Sequence, residues 1–355
     1  MYLKRAKQVY FARQKEQIFF FASAFCKGIC SVDIKNERAQ EKMKCSISEL
    51  NRKISQNPRE LVAECENRYQ SYIVKAADQI IENMKNSPVV LLSGPSGSGK
   101  TTTAYKLEHE LEKRGVVSHT ISMDDYFHDV DIRRAPRTPD GAIDFEHPNC
   151  VDMELLNEHF ALLKAGKEIH VPKFLFARQK RSASIFRKLK LKENEIAIFE
   201  GIHALNDAVT IPNPDAAKIY ISAIVDYIDD EGEKRFFGTC LRLMRRVVRD
   251  NNFRGANAEY TIALWDNVLR GERLYIYPYM DRANIKINSA LLYEVAVMKQ
   301  FARPLFIDLP DDNPQKEELA RILPALELFS DLSPDHVPED SLLREFMGGS
   351  IYYNK

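Results

Sequence analysis

Long apolar runs are scarce in this 355-residue chain; the longest, Ile18–Cys26, is about half the ~18–20 residues a bilayer-spanning helix requires. Net charge is lacking too. The 51 Lys and Arg residues balance the 51 Asp and Glu residues, without the basic surplus of a bulk nucleic-acid binder. Cysteine is sparse, at positions 26, 30, 45, 65, 150 and 240, with no C-x-x-C pair and no histidine pair at zinc-site spacing. That pattern predicts free thiols in a reducing, cytoplasmic setting and no structural metal. Internal repeats and low-complexity tracts are absent as well. What remains, 45% hydrophobic and 29% charged, is the composition of a globular protein with one large or two smaller domains.

Four segments are expected. Residues 1–42 are basic and then apolar: up to position 32, Lys4, Arg5, Lys7, Arg13, Lys15 and Lys27 face Glu16 alone. The segment faintly resembles a targeting sequence but has no clean cleavage site. The change of pattern at Met43 also suggests a translation start there. Residues 43–87 read as helical: Ser46 and Glu49 have capping-box spacing, and Asn57-Pro58 is a helix start. Leu61, Cys65, Tyr69, Tyr72, Ile73, Ala76, Ile80 and Met84 then form one apolar stripe. Residues 88–310 alternate apolar strands with amphipathic helices, the pattern of a parallel α/β sheet. The expected strands are 89–93, 118–123, 195–200, 218–224 and 305–309. Residues 311–355 hold ten acidic and four basic residues, and read as a solvated helix with a loose end.

Within the α/β region, Val89-Val-Leu-Leu-Ser precedes Gly94-Pro-Ser-Gly-Ser-Gly-Lys-Thr, which fits G-x-x-x-x-G-K-[ST] at every position. Its glycines let backbone N–H groups turn inward around phosphate oxygens, and the following helix adds its positive end. Gly94, Ser96, Gly97, Ser98, Gly99, Lys100, Thr101 and Thr102 are the expected ATP ligands. Lys100 would bridge the β- and γ-phosphates, and the Thr101 hydroxyl would ligate Mg²⁺.

Ligands of open α/β sheets bind beyond the carboxyl ends of the strands. Asp124 and Glu200 end two expected strands, which suggests Asp124 as the base and Glu200 as part of the metal shell. Farther on, Arg242, Arg245, Arg246 and Arg249 fall on one side of an expected helix, with Arg254 in the loop beyond. Guanidinium groups suit phosphoryl oxygens, so this helix is expected to close over the phosphates as an arginine lid.

The phosphate loop, Met123-Asp-Asp-Tyr-Phe, Asp144-Phe-Glu-His-Pro, Phe199-Glu-Gly-Ile-His and Leu243-Met-Arg-Arg-Val-Val-Arg-Asp, taken in this order, resemble the uridine kinase and phosphoribulokinase-like P-loop kinases. The resemblance spans roughly residues 88 to 310. It implies a P-loop kinase fold with a mostly parallel central sheet flanked by helices and an arginine lid; the helical N-terminal extension read from the pattern lies outside it. It also implies transfer of the ATP γ-phosphate to a ribose-type hydroxyl with Mg²⁺. Asp124 takes the place of the family's base, Glu146 that of the acid holding ribose hydroxyls, and Phe145 lines the nucleoside pocket. The lid arginines map to Arg245, Arg246 and Arg249, with Arg246 also near the acceptor. The segment Pro172-Lys-Phe-Leu-Phe-Ala-Arg-Gln departs from the family pattern: Phe174 and Phe176 keep an aromatic wall, while Gln179 stands where a histidine is expected. The basic stretch Lys180–Lys192 is foreign to compact uridine kinases.

The favoured reading is a 5′-kinase of a pyrimidine nucleoside, uridine to UMP, in nucleoside salvage. A sugar-phosphate kinase is the sister reading, for which Arg133, Arg134, Arg137 and Lys173 would bind the acceptor phosphate. A non-catalytic nucleotide-binding switch is the reading from another class. Neither a nucleic acid nor a membrane is expected as partner, and assembly of identical chains stays open.

Overall fold

A computed structural model describes residues 42–309 and 316–353. The expected basic and apolar segment, save Lys42, lies outside the described residues.

Strand β1 (Met43–Ser46) leads into α1 (Ile47–Gln56) and the long α2 (Pro58–Asn83). Both helix starts follow from sequence. The Ser46 side chain accepts from the Glu49 N–H at 3.3 Å, and Asn57 caps α2 through the Glu60 N–H, with Pro58 in the first turn. Leu61, Cys65, Tyr69, Ile73, Ala76 and Ile80 of the stripe are buried, with Tyr72 and Met84 partly buried against the same core.

The central sheet comprises β2 (Val89–Ser93), β3 (Val117–Ser122), β6 (Glu195–Glu200), β7 (Ala217–Ser222) and β10 (Ile285–Asn288). Its spatial order is β10-β7-β2-β6-β3, and every pairing is parallel. The chain leaves β2 through α3 (Lys100–Glu112) to the edge strand β3 and returns to β6; β7 then pairs on the other side of β2. The loop after β2 therefore lies where the winding reverses, the place at which such sheets bind ligands.

Alternation along the strands sorts two cores. Val90, Leu92, Ile196, Ile198, Ile219 and Ile221 face a large cluster shared with α1 and α2, while Val89, Leu91, Ala197 and Phe199 face Leu156 and Phe160 of α4 (Met153–Lys164). Residues Lys180–Leu189 form β5, paired antiparallel with β4 (Ile169–Leu175) as a hairpin. A small sheet joins β1, β8 (Val225–Ile228) and β9 (Lys234–Phe237), and feeds α5 (Gly238–Arg249). The helix α6 (Trp265–Tyr275) follows.

Two expectations give way. The apolar run 305–309 is no strand: residues up to 307 end helix α7 (Glu294–Ile307). Val295, Met298, Ala302 and Phe306 are buried at helical spacing, so the run continues a helix face, and the fifth strand is the four-residue β10. The tail is not a loose end. After α8 (Lys316–Glu327), Leu332, Val337, Leu342, Leu343 and Phe346 enter the same large core as the sheet. Apolar side chains spaced among the acids, each contributing about 1.5–3 kcal/mol on full burial, outweigh the exposure that charge alone suggested.

Candidate active site

The loop Gly94–Thr101 crosses from β2 to α3 over the end of the sheet. Gly97 has φ +73°, and a Cβ there would lie 2.8 Å from the Arg242 carbonyl oxygen, so both backbone and space require glycine. Side chains behind the loop hold its carbonyl groups. Arg242 Nη1 donates to Ser96 O (2.9 Å), Arg245 Nη1 to Gly97 O (3.1 Å) and Ser289 Oγ to Ser98 O (2.7 Å). With those carbonyls turned outward, the loop N–H groups other than those of Ser96 and Ser98, which donate to Glu272 and to Pro95 O, are left to the concave side. Lys100 Nζ donates to Gly94 O and Pro95 O at 2.9 and 3.1 Å.

Strand register brings the expected acids together. Ser122 of β3 stands beside Glu200 of β6, and Asp124 follows at once in a single 3₁₀ turn, its N–H donating to Ser122 Oγ. Burial pulls the Lys100 ammonium below its usual pKa, while Glu200 and Asp124 oppose that shift. Desolvation by the cleft walls and the neighbouring Asp124 charge push Glu200 up to about 7. Asp124 opens onto the cleft, yet the surrounding protein raises its carboxyl too, against the pull of Lys100 and Arg254. The Thr101 hydroxyl with these carboxylates is a set of hard oxygen donors, the type Mg²⁺ takes alongside water and phosphate. Among the described residues no cluster of three His, Cys, Asp or Glu side chains could hold a metal unaided.

Glu146 is set by a buried support. Its N–H donates to Asp144 Oδ1 at 3.2 Å, and Asp144 in turn accepts from Tyr275 and pairs with Arg270 at 2.8 Å. Gly271 on the same helix lets Glu146 approach: a Cβ there would meet Glu146 Cβ at 2.4 Å. Desolvation pushes Glu146 up to about 7, opposed by Arg246 and Lys100. Phe145 beside it is exposed. Phe127, Phe174 and Phe176 form an aromatic cluster with ring centroids 5.1–6.3 Å apart. Asp125 ties that hairpin to the end of β3, accepting from Phe174 N–H and Lys173. Gln179 sits in the hairpin turn with φ +53°, its carbonyl accepting from Val130 N–H.

The arginines divide. Arg246 donates to Ser96 Oγ at 2.7 Å, and Arg246, Arg249 and Arg254 all pair with Asp250 at 2.8–3.6 Å. Arg249 and the surrounding protein lower the Arg254 pKa to about 10. Arg245, by contrast, is fully buried and binds Glu294 through two bonds of 2.7 and 2.8 Å. It stands behind the loop and does not face the cleft acids. Arg242 forms a matching buried fork with Glu272, which also accepts from Ser96 N–H and from Tyr277.

Sequence reasoning assigns no role to Asp144, Asp250, Glu272 or His203. Asp144, Asp250 and His203 lie within the family-like motifs, so position is a signal for them; Glu272 carries none. His203 is buried beside the Glu146 backbone, and desolvation lowers its pKa to about 4 against the pull of that backbone, which keeps it neutral.

The model of the phosphoribulokinase / uridine kinase family matches residues 89–296. Uridine kinases of Staphylococcus aureus strains JH9 and Newman are 30% identical over 217 residues, covering 60% of this chain and 93% of theirs. Among solved structures, a putative fructose transport system kinase from Silicibacter sp. TM1040 aligns with TM-score 0.40 and 18% identity, over 62% of this chain and 97% of that one. A possible uridine kinase from Bacillus stearothermophilus aligns with TM-score 0.38 and 18% identity, over 60% and 98%. A five-stranded parallel sheet, a phosphate loop at its switch point and a family match across both mark the chain as a phosphotransferase with an alcohol acceptor, and it belongs to the phosphoribulokinase / uridine kinase family.

Proposed function

We propose that the chain transfers the γ-phosphate of ATP to the 5′-hydroxyl of a pyrimidine nucleoside, uridine foremost, as a cytoplasmic salvage enzyme. The observation that carries this reading is Glu146, held by Asp144 at a cleft it shares with Lys100 and Asp124. A carboxylate there suits the paired hydroxyls of a ribose, which donate two hydrogen bonds to its two oxygens. Of the basic residues that a phosphorylated acceptor would need, two are engaged elsewhere and two lie on the exposed surface. Arg133 and Arg134 are exposed beside Asp131, Arg137 donates to the carbonyls of Gly141 and Ile132, and Lys173 pairs with Asp125. This favours an uncharged acceptor.

In this reading Asp124 accepts the proton of the acceptor hydroxyl, and Lys100, Arg246, Arg249 and Arg254 neutralise charge on the transferred group. Thr101 and Glu200 would hold Mg²⁺, which when bound neutralises phosphate charge. Phe174, Phe176 and Gln179 would face the base from the hairpin, and Phe145 would flank the sugar.

The test is ADP release from Mg·ATP with uridine, cytidine, adenosine and ribulose 5-phosphate, run on the natural chain and on Asp124→Asn. Turnover on uridine or cytidine, lost by orders of magnitude in Asp124→Asn with ATP affinity retained, is the expected result. Turnover on ribulose 5-phosphate alone would replace the acceptor, and equal losses of turnover and ATP affinity would move Asp124 to the metal shell.

A further inference from the structure

The tail places an anion of its own on the phosphate loop. Thr102 lies in the first turn of α3, where backbone N–H groups have no partner within the helix and serve a phosphate loop as phosphate donors. Its N–H instead donates to Glu345 Oε2 at 3.3 Å, and its hydroxyl donates to the same oxygen at 2.6 Å. The Tyr353 hydroxyl closes the group, 3.0 Å from Thr102 Oγ1.

The contact is built into the fold. Leu342 packs so closely on Gly99 that a Cβ there would lie 2.4 Å from its Cδ1. Phe346 is fully buried beneath the Arg245 guanidinium, 5.3 Å from its ring centroid. Asp340 pairs with Lys106 at 2.8 Å, and Tyr352 stacks on Tyr105. These anchors flank Glu345, which is itself only half-buried.

We propose that Glu345 is an internal competitor for the nucleotide, occupying the seat of a donor phosphate at Thr102 and setting donor affinity through the need to displace it. The inference rests on the reading that the loop binds a nucleoside triphosphate. Its physical basis is that one N–H cannot serve a carboxylate and a phosphate oxygen together, and two anions at that separation repel. If the resting chain holds Glu345 in place most of the time, the apparent dissociation constant rises by the inverse of the vacant fraction. Loss of a charge-assisted hydrogen bond of ordinary strength corresponds to roughly a tenfold change.

Equilibrium binding of Mg·ADP to the full chain, without acceptor, tests this with Glu345→Gln, Tyr353→Phe and Lys100→Ala. Glu345→Gln keeps the shape of the side chain and removes its charge, and should bind about tenfold more tightly. Tyr353→Phe removes only the hydroxyl that closes this group, on a side chain that is itself partly exposed, and should shift affinity in the same direction by about twofold, so the test survives if the first variant folds poorly. Lys100→Ala should bind much more weakly. Unchanged or weaker binding in both tail variants, with the loss intact in Lys100→Ala, would overturn the competitor role alone. Undiminished binding in Lys100→Ala would overturn the phosphate-loop reading beneath it.

Discussion

Arg242 and Arg245 on one side, and Arg246, Arg249 and Arg254 on the other, come from a single stretch of thirteen residues yet meet opposite surroundings. The first two are buried, each forked onto a buried carboxylate, Glu272 or Glu294, and each spends a remaining donor on a carbonyl of the phosphate loop. The other three, of which Arg249 is also buried, share the single carboxylate of Asp250, and their charges reach Asp124, Lys100 and Glu146 in the cleft. One group shapes the loop from behind; the other faces what the loop would hold. The difference lies in partner count. A guanidinium with a carboxylate to itself is neutralised, whereas three around one leave a surplus of positive charge at the cleft.

Substitutions should separate the two groups. Arg245→Ala leaves Glu294 buried without its partner, and loss of one member of a buried pair costs about 3–5 kcal/mol. Denaturant unfolding should show that loss; a change below ~1 kcal/mol would mean that Arg245 is not a structural clamp and the division fails. Arg249→Ala differs in kind, because Asp250 keeps Arg246 and Arg254. Stability should stay within ~1 kcal/mol, while turnover at saturating substrates falls about 10²-fold, as for removal of one charge-stabilising donor. A large stability loss with modest kinetic change would place Arg249 with the inner pair.

The sequence alone does not draw this line. Helical spacing puts Arg242, Arg245, Arg246 and Arg249 on one side of a helix, but a 3.6-residue period cannot show that Glu272 and Glu294, thirty and forty-nine positions away, close on two of them. Other parts of the site are legible because they are local. The phosphate loop is one contiguous motif, and Asp124 and Glu200 stand at the carboxyl ends of apolar runs, where a parallel sheet presents its polar residues to ligands. The β3–β6 register then joins them. Strand β10 escapes a reading by pattern, since four residues, Ile285-Lys-Ile-Asn, carry too little alternation to stand out. The tail misleads for a related reason: its charge count hides Leu342, Leu343 and Phe346, and the surfaces that Leu342 and Phe346 meet, at Gly99 and Arg245, lie far earlier in the chain.

The same contrast extends to the carboxylates, where its effect is smaller and set by pH. Asp250 has three arginines, and although burial works against its charge, Arg249, Arg246 and Arg254 hold it below the usual range. Glu200 has no such surplus, and desolvation together with Asp124 pushes it up to about 7 from 4.5. The signs are opposite. The lowered Asp250 contributes stability that is present above its unfolded pKa and lost as pH falls through its folded one. Between about pH 4.5 and 7 the folded chain holds a proton on Glu200 that the unfolded chain has released, so its contribution fades as pH rises through 7. Glu200→Gln cannot titrate and should lack that fade. Its stability relative to the natural chain should therefore climb between pH 4.5 and 7 and level off above, while buried histidines such as His203 cancel in the difference. Melting temperatures of both chains across that window measure it. A difference that stays flat would mean Glu200 already carries its charge at low pH, and the cleft acids would then resemble Asp250.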